Sequence, residues 1–194
     1  MPGVANTPIK VCSRASVLIG GDEIQSFTDG TLESSVADSI YEDIARTALT
    51  NTRWRFATNQ QQLNRLTLAP VGRWDAAYQM PASSLMIHAV TVNEIPIEYD
   101  TYGDKIYTDS SANDVVIADF IYRADEQDWP SFFTLAVQHM VAGAFAISIG
   151  RDATLSQLMD QKAQFYMAQA RRLDSQQQTT RKLNTSRFIA QRRS

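Results

Sequence analysis

The sequence predicts an α+β protein that is mainly α. It reads as a bundle of about four helices, with a β-rich subdomain inserted between the second and third and an extended C-terminal arm. Three observations predict this. Apolar residues recur at spacings of three and four across residues 32–51, as on one face of a helix. Residues 54–123 then change to alternating and β-rich runs, the period of half-buried strands. From residue 131 helical patterns return, first apolar nearly all round and then amphipathic. The expected divisions are residues 1–53, 54–127, 128–175 and 176–194.

A first short helix is expected over residues 9–19, stopped by Gly20-Gly21, because glycine suits the left-handed position after a helix end. Ile24 and Phe27 are placed to clip the following linker to the core. The long helix over 32–51 turns Val36, Ala37, Ile40, Tyr41, Ile44, Ala45, Ala48 and Leu49 inward, with Ser34, Ser35 and Asp38 supplying capping chemistry. RWRFAT and QQLNRLTL read as strands, as do SSLMIHAVTV and VVIADFIYRA. The stretch IPIEYDTYGDKIYT reads as one hairpin with its turn near Gly103-Asp104. Pro130 opens the third helix, where a missing N–H costs nothing, and Gly150 ends it. Asp152 caps a fourth helix over 153–173, whose stripe is Leu155, Leu158, Met159, Phe165, Tyr166 and Leu173.

With 194 residues, 44% hydrophobic and 20% charged, the chain is long and apolar enough for a real core. The net charge of −3 is unevenly spread. Residues 176–194 hold five basic residues and no acidic one, which leaves −8 on residues 1–175. An acidic body argues against general nucleic-acid binding. The single cysteine, Cys12, has no disulfide partner in the chain and reads as a small buried apolar residue. No long apolar run suggests a secretion signal or a membrane span, and a reducing intracellular site of synthesis is expected.

Motifs for chemistry are sparse. His88 and His139 stand apart, with no HxxxH or HExxH spacing. There is no G-x-S-x-G elbow, no Walker loop and no GxGxxG. Glu42-Asp43 and Asp125-Glu126 are paired carboxylates and read as solvated charge. The expectation is therefore no enzyme, no metal and no cofactor. In RWRF, alternation puts Trp54 and Phe56 on one face and Arg53 and Arg55 on the other, which favours core packing over base stacking. Trp74, Tyr78 and Trp129 read alike, as anchors at element ends.

The basic tail has three readings: a solubilising end, a docking segment and a nucleic-acid binder. Docking is favoured because Leu183, Phe188 and Ile189 are apolar anchors that a binder of polyanions does not need. Arg181, Lys182, Arg187, Arg192 and Arg193 form the electrostatic rim.

The order of these segments resembles the tail tubular protein A family, the head-to-tail adaptors of short-tailed bacteriophages. The matching features are Gly20, Ile24-Gln25-Ser26-Phe27, the 32–51 helix, Trp54-Arg55-Phe56, Tyr78-Gln79-Met80-Pro81, Gly103-Asp104-Lys105-Ile106-Tyr107 and Asp128-Trp129-Pro130. The resemblance covers about residues 12–173.

The resemblance implies a structural virion protein. About a dozen copies would form a ring between the portal ring and a tail nozzle of the tail tubular protein B type. Genome DNA would pass through without sequence-specific binding. The protein would be made in the host bacterial cytoplasm and reside at the head–tail junction. The C-terminal tail becomes the portal-docking arm, and the β block is the expected neighbour-gripping element. The alternatives are another phage neck or head-completion protein, and a nucleic-acid-binding module using RWRF and the tail.

Overall fold

The computed structural model describes residues 6–68, 70 and 72–177. They form four helices and two antiparallel sheets, an α+β protein with more helix than strand. The arm residues Arg181, Lys182, Leu183, Arg187, Phe188, Ile189, Arg192 and Arg193 lie outside the described residues.

Helix α1 (Pro8–Leu18) starts on Thr7, whose side chain accepts from the Lys10 N–H. It stops as expected, with Gly20 left-handed at φ 82°. Ile24 is buried, and Phe27 packs on Tyr41 with ring centroids 6.4 Å apart. Helix α2 (Leu32–Thr50) is capped by Thr31, which accepts from the Ser34 N–H, rather than by Ser34, Ser35 or Asp38. Helix α3 (Ser131–Ser148) is the central helix and packs against α1, α2 and α4 (Ala153–Gln176). By length and composition α3 is apolar enough to cross a bilayer. Contact with three other helices accounts for that composition.

Pro130 stands one residue before α3 and not in its first turn. Between α3 and α4 the left-handed residue is Arg151, φ 49°. Gly150 serves space instead, since a Cβ there would come within 2.9 Å of the Ala146 carbonyl oxygen. Asp152 caps α4 as expected, accepting from the Thr154 and Leu155 N–H groups. Gly143 brings α3 and α4 close, and the Ser156 hydroxyl donates to its carbonyl at 2.9 Å.

The β block departs from expectation in two places. RWRFAT is not a strand. Residues Arg55–Ala57 form a 3-10 turn, followed by β1 (Thr58–Gln62). The strand ends at Gln62, and Leu63 tucks into a second small core. The segment IPIEYDTYGDKIYT is also two elements. After β2 (Ala76–Gln79) and β3 (Ser84–Val92), Asn93 and Glu94 both take positive φ. That is the two-residue turn a tight hairpin needs, and it folds β4 (Ile95–Ile97) back on β3. The expected turn at Gly103-Asp104 joins β5 (Tyr99–Tyr102) to β6 (Lys105–Thr108).

The larger sheet runs β1-β7-β3-β4, with β7 (Val116–Tyr122) inside it, and the smaller runs β2-β6-β5. Strand alternation lets β7 serve both cores. Val116 and Ala118 join Tyr78, Val90 and Ile106 in the smaller core, while Ile121 joins the helical one.

Candidate functional site

Two clusters of polar side chains tie the helices to the β block. The first is an ionic junction. Glu126, buried in a 3-10 turn just before α3, accepts from the Tyr41 hydroxyl of α2 at 2.8 Å and from Arg123 Nη2. Arg123 follows β7 and also reaches Glu42 on α2 at 3.1 Å, and Glu42 accepts from Arg46 Nε at 2.7 Å. The Arg123 guanidinium lies over the Trp129 ring, 5.5 Å from its centroid. Burial works against its charge, but Glu42 and Glu126 outweigh that and raise its pKa. Burial, and then Glu126, push the Tyr41 phenol up. The same two causes push the Cys12 thiol to about 12. Cys12 is buried as expected, and it stays a thiol, without the thiolate that cysteine chemistry requires.

The junction corrects one expectation. Asp125-Glu126 was read as solvated charge, yet only Asp125 is exposed. The sequence signal was the Arg123–Glu126 pair at i,i+3.

The second cluster lines a polar groove of about 900 Å³ where the end of α2, the β1 strand and the end of α4 meet. Arg53 pairs with Asp119 of β7 at 2.9 Å. The backbone N–H of Arg55 donates to both carboxylate oxygens of Asp174 on α4 at 3.3 Å. Burial raises the Asp174 pKa, opposed by that N–H. Arg171 reaches Asn51, joining the C-terminal ends of α4 and α2. Asp119 Oδ1 and His88 Nε2 are buried beside this cluster with no protein hydrogen-bond partner. His88 falls at an irregularity in the β3–β7 register.

Burial, and then the Arg53 cation, lower the His88 pKa below its ordinary 6.5, with Asp119 pulling the other way. An unfolded chain therefore takes up this proton first as pH falls. The native state keeps its full margin above pH 6.5 and loses part of it as pH drops through the depressed value. Melting measured across that range should show a steeper acid loss for the wild type than for His88→Gln. Equal slopes would show that His88 does not set the loss.

The aromatics fall in three places. Trp54 is fully buried, with Phe133 edge-on at 5.0 Å, and its indole N–H donates to the Ala48 carbonyl at 2.9 Å. Phe56 packs on Phe133 at 4.9 Å. Trp129 is buried against Phe133 and donates to the Ala124 carbonyl. RWRF thus has its expected two faces, with the rings in the core and Arg53 and Arg55 along the groove. Tyr78 is buried in the smaller core, its hydroxyl 2.8 Å from Ser110 Oγ. Trp74 sits half-buried at the rim of the smaller sheet, where its indole N–H donates to Asp100 at 3.3 Å and Arg73 covers its ring. Core packing accounts for Trp54 and Phe56; Trp54 has no exposed face to stack on a base.

Helix α4 holds the feature the sequence misplaced. Its buried face is Ser156, Met159, Ala163, Met167, Ala170 and Asp174. Of the expected stripe only Met159 belongs to it. Phe165 is 59% exposed, Leu158 45% and Leu173 43%, and Leu155 and Tyr166 are half-buried beside them. Small side chains and methionines fill the close α3–α4 contact, Leu155 and Tyr166 pack at its edge, and Leu158, Phe165 and Leu173 face out. His139 stacks on Tyr166 at 4.7 Å, and its Nδ1 meets the Leu135 carbonyl. Among the described residues, no group of three or more His, Cys, Asp or Glu side chains could hold a metal ion. In comparisons with known proteins, no family model matches the chain, and no curated protein matches it.

Proposed function

We propose that this chain is the head-to-tail adaptor of a short-tailed bacteriophage. It would be a structural virion protein, forming a ring between the portal and the tail nozzle with DNA passing through. In this reading the four helices act as a bundle, the β block is an insertion in it, and residues 176–194 are the portal-docking arm. The protein works without catalysis or a cofactor and outside any membrane, at the head–tail junction.

The observation that carries this reading is the order of elements. A short helix ends in a left-handed glycine, a clip follows through Ile24 and Phe27, and a long helix ends just before a buried Trp54 and its neighbour Phe56. A two-sheet block then separates that pair of helices from the last pair. The basic segment follows directly on α4. A negatively charged body also suits a channel that phosphates must slide through without sticking.

One observation favours a second reading. Arg53, Arg55 and Arg171 line one groove, and Ser175, just before the basic segment, lies at its edge. A nucleic-acid-binding module would use that surface.

The test is to mix the protein with the cognate portal ring and image the product by negative-stain electron microscopy, using the full chain and one ending at Ser175. A second ring stacked on the portal, lost on truncation, is the expected result. A stacked ring that survives truncation keeps the adaptor and removes the arm. No stacking, with salt-sensitive DNA affinity lost on truncation, gives the second reading.

A further inference from the structure

We infer that the outward face of α4 is the contact with the next copy of this chain, and that it meets the acidic face of that copy's α2. The inference rests on the adaptor reading for its partner, and on two asymmetries of the fold for its location. First, three large apolar side chains of α4 lie outside the core. Leu158 and Phe165 are seven residues apart and Leu173 eight further on, so they share one side of the helix. An exposed stripe of large side chains on a well-packed helix marks an interaction surface.

Second, charge is segregated between the helices. The charged residues interleaved with that stripe are Lys162 and Arg172, both cations. Residues 15–45 contain seven acidic residues and no basic one. On α2, Asp38 and Asp43 are exposed, and so is Glu42, which is paired with Arg46 and Arg123. Beside them Leu32 is 59% exposed, and Val36 and Ile40 are half-buried. The α4 face therefore carries cations and the α2 face mostly carboxylates, with Arg46 the one cation on α2. A contact of α4 with another α4 would set cations against cations. A contact of α4 with α2 sets cations against carboxylates, which fixes direction as well as partner. Two different faces meeting head to tail generate a ring when the rotation closes. This puts the lateral contact on the helices rather than on the β block.

Zero-length carbodiimide cross-linking tests it, because that reagent joins an amine only to a carboxylate it touches. Full-length protein, mixed half and half with isotope-labelled protein, is treated alone and on the portal ring. The links are mapped by mass spectrometry. The expected product joins Lys162 of one copy to an α2 carboxylate, Glu33 to Asp43, of another. The exposed pair Leu158→Ser/Phe165→Ser should reduce that product about tenfold or more, with an unchanged circular dichroism spectrum. Links from Lys162 to other regions, or none in either setting, overturn the inference. Lys162–α2 links without portal binding keep this contact and remove the adaptor reading. Portal stacking with Lys162 unlinked does the reverse.

Discussion

Replacing Arg123 with alanine is expected to destabilise the protein by about 3–5 kcal/mol, the usual cost of stranding one partner of a buried ion pair. The cost arises at Glu126. Its carboxylate is buried against Tyr41 and loses its charge partner when the guanidinium is gone. Glu42 is less affected, because it is half-exposed and keeps Arg46. The double change Arg123→Met/Glu126→Leu should recover part of the loss, since it leaves no charge behind but takes the acceptor from the Tyr41 hydroxyl. Urea unfolding of the three proteins measures this. A loss under about 1 kcal/mol for Arg123→Ala would place the junction among surface ion pairs, which contribute little.

Trp54→Ala is the second large effect, expected at about 3–5 kcal/mol for an emptied aromatic site. The ring does two jobs. It fills the space against Phe133 and Phe56, and its N–H satisfies the Ala48 carbonyl. That carbonyl is among the last four of α2, which have no partner inside the helix. Trp54→Phe should restore much of the packing and leave that carbonyl unpaired, so it falls between. Trp74→Ala is the control, since its half-buried ring at the smaller sheet's rim should cost far less. Denaturant titration by far-ultraviolet circular dichroism separates them. Equal losses at 54 and 74 would contradict the core assignment.

The helices were legible in the sequence because each carries a boundary signal, and α2 and α4 an amphipathic pattern as well. Gly20 and Asp152 act where those signals put them. Residues 95–108 were less legible. The Asn93-Glu94 turn was missed because only the asparagine is a typical left-handed residue. Pro96, which cannot donate to a ladder, fits the edge position that β4 takes, a signal the hairpin reading passed over. Hydrophobicity misplaced the α4 stripe, because the close crossing with α3 needs small residues inside. Alanine and serine there carry little signal in a count of large apolar positions. Glu126 was missed because its i,i+3 pairing with Arg123 is the only local sign, and Tyr41 reaches it from α2, 85 residues away. The clusters joining helices to sheets were therefore hidden, although every residue in them was visible.

The position of α3 has a consequence for synthesis on the ribosome. Helices α1 and α2 pack on α3, yet 80 residues separate Thr50 from Ser131. The first two helices emerge with apolar faces whose main partner is still to be translated. The larger sheet waits in the same way, because β7, which joins β1 to β3, is its last strand. Neither half can close early, and the non-local contacts make closure slow. The nascent chain thus exposes apolar surface for most of its translation, the kind of surface that holding chaperones bind.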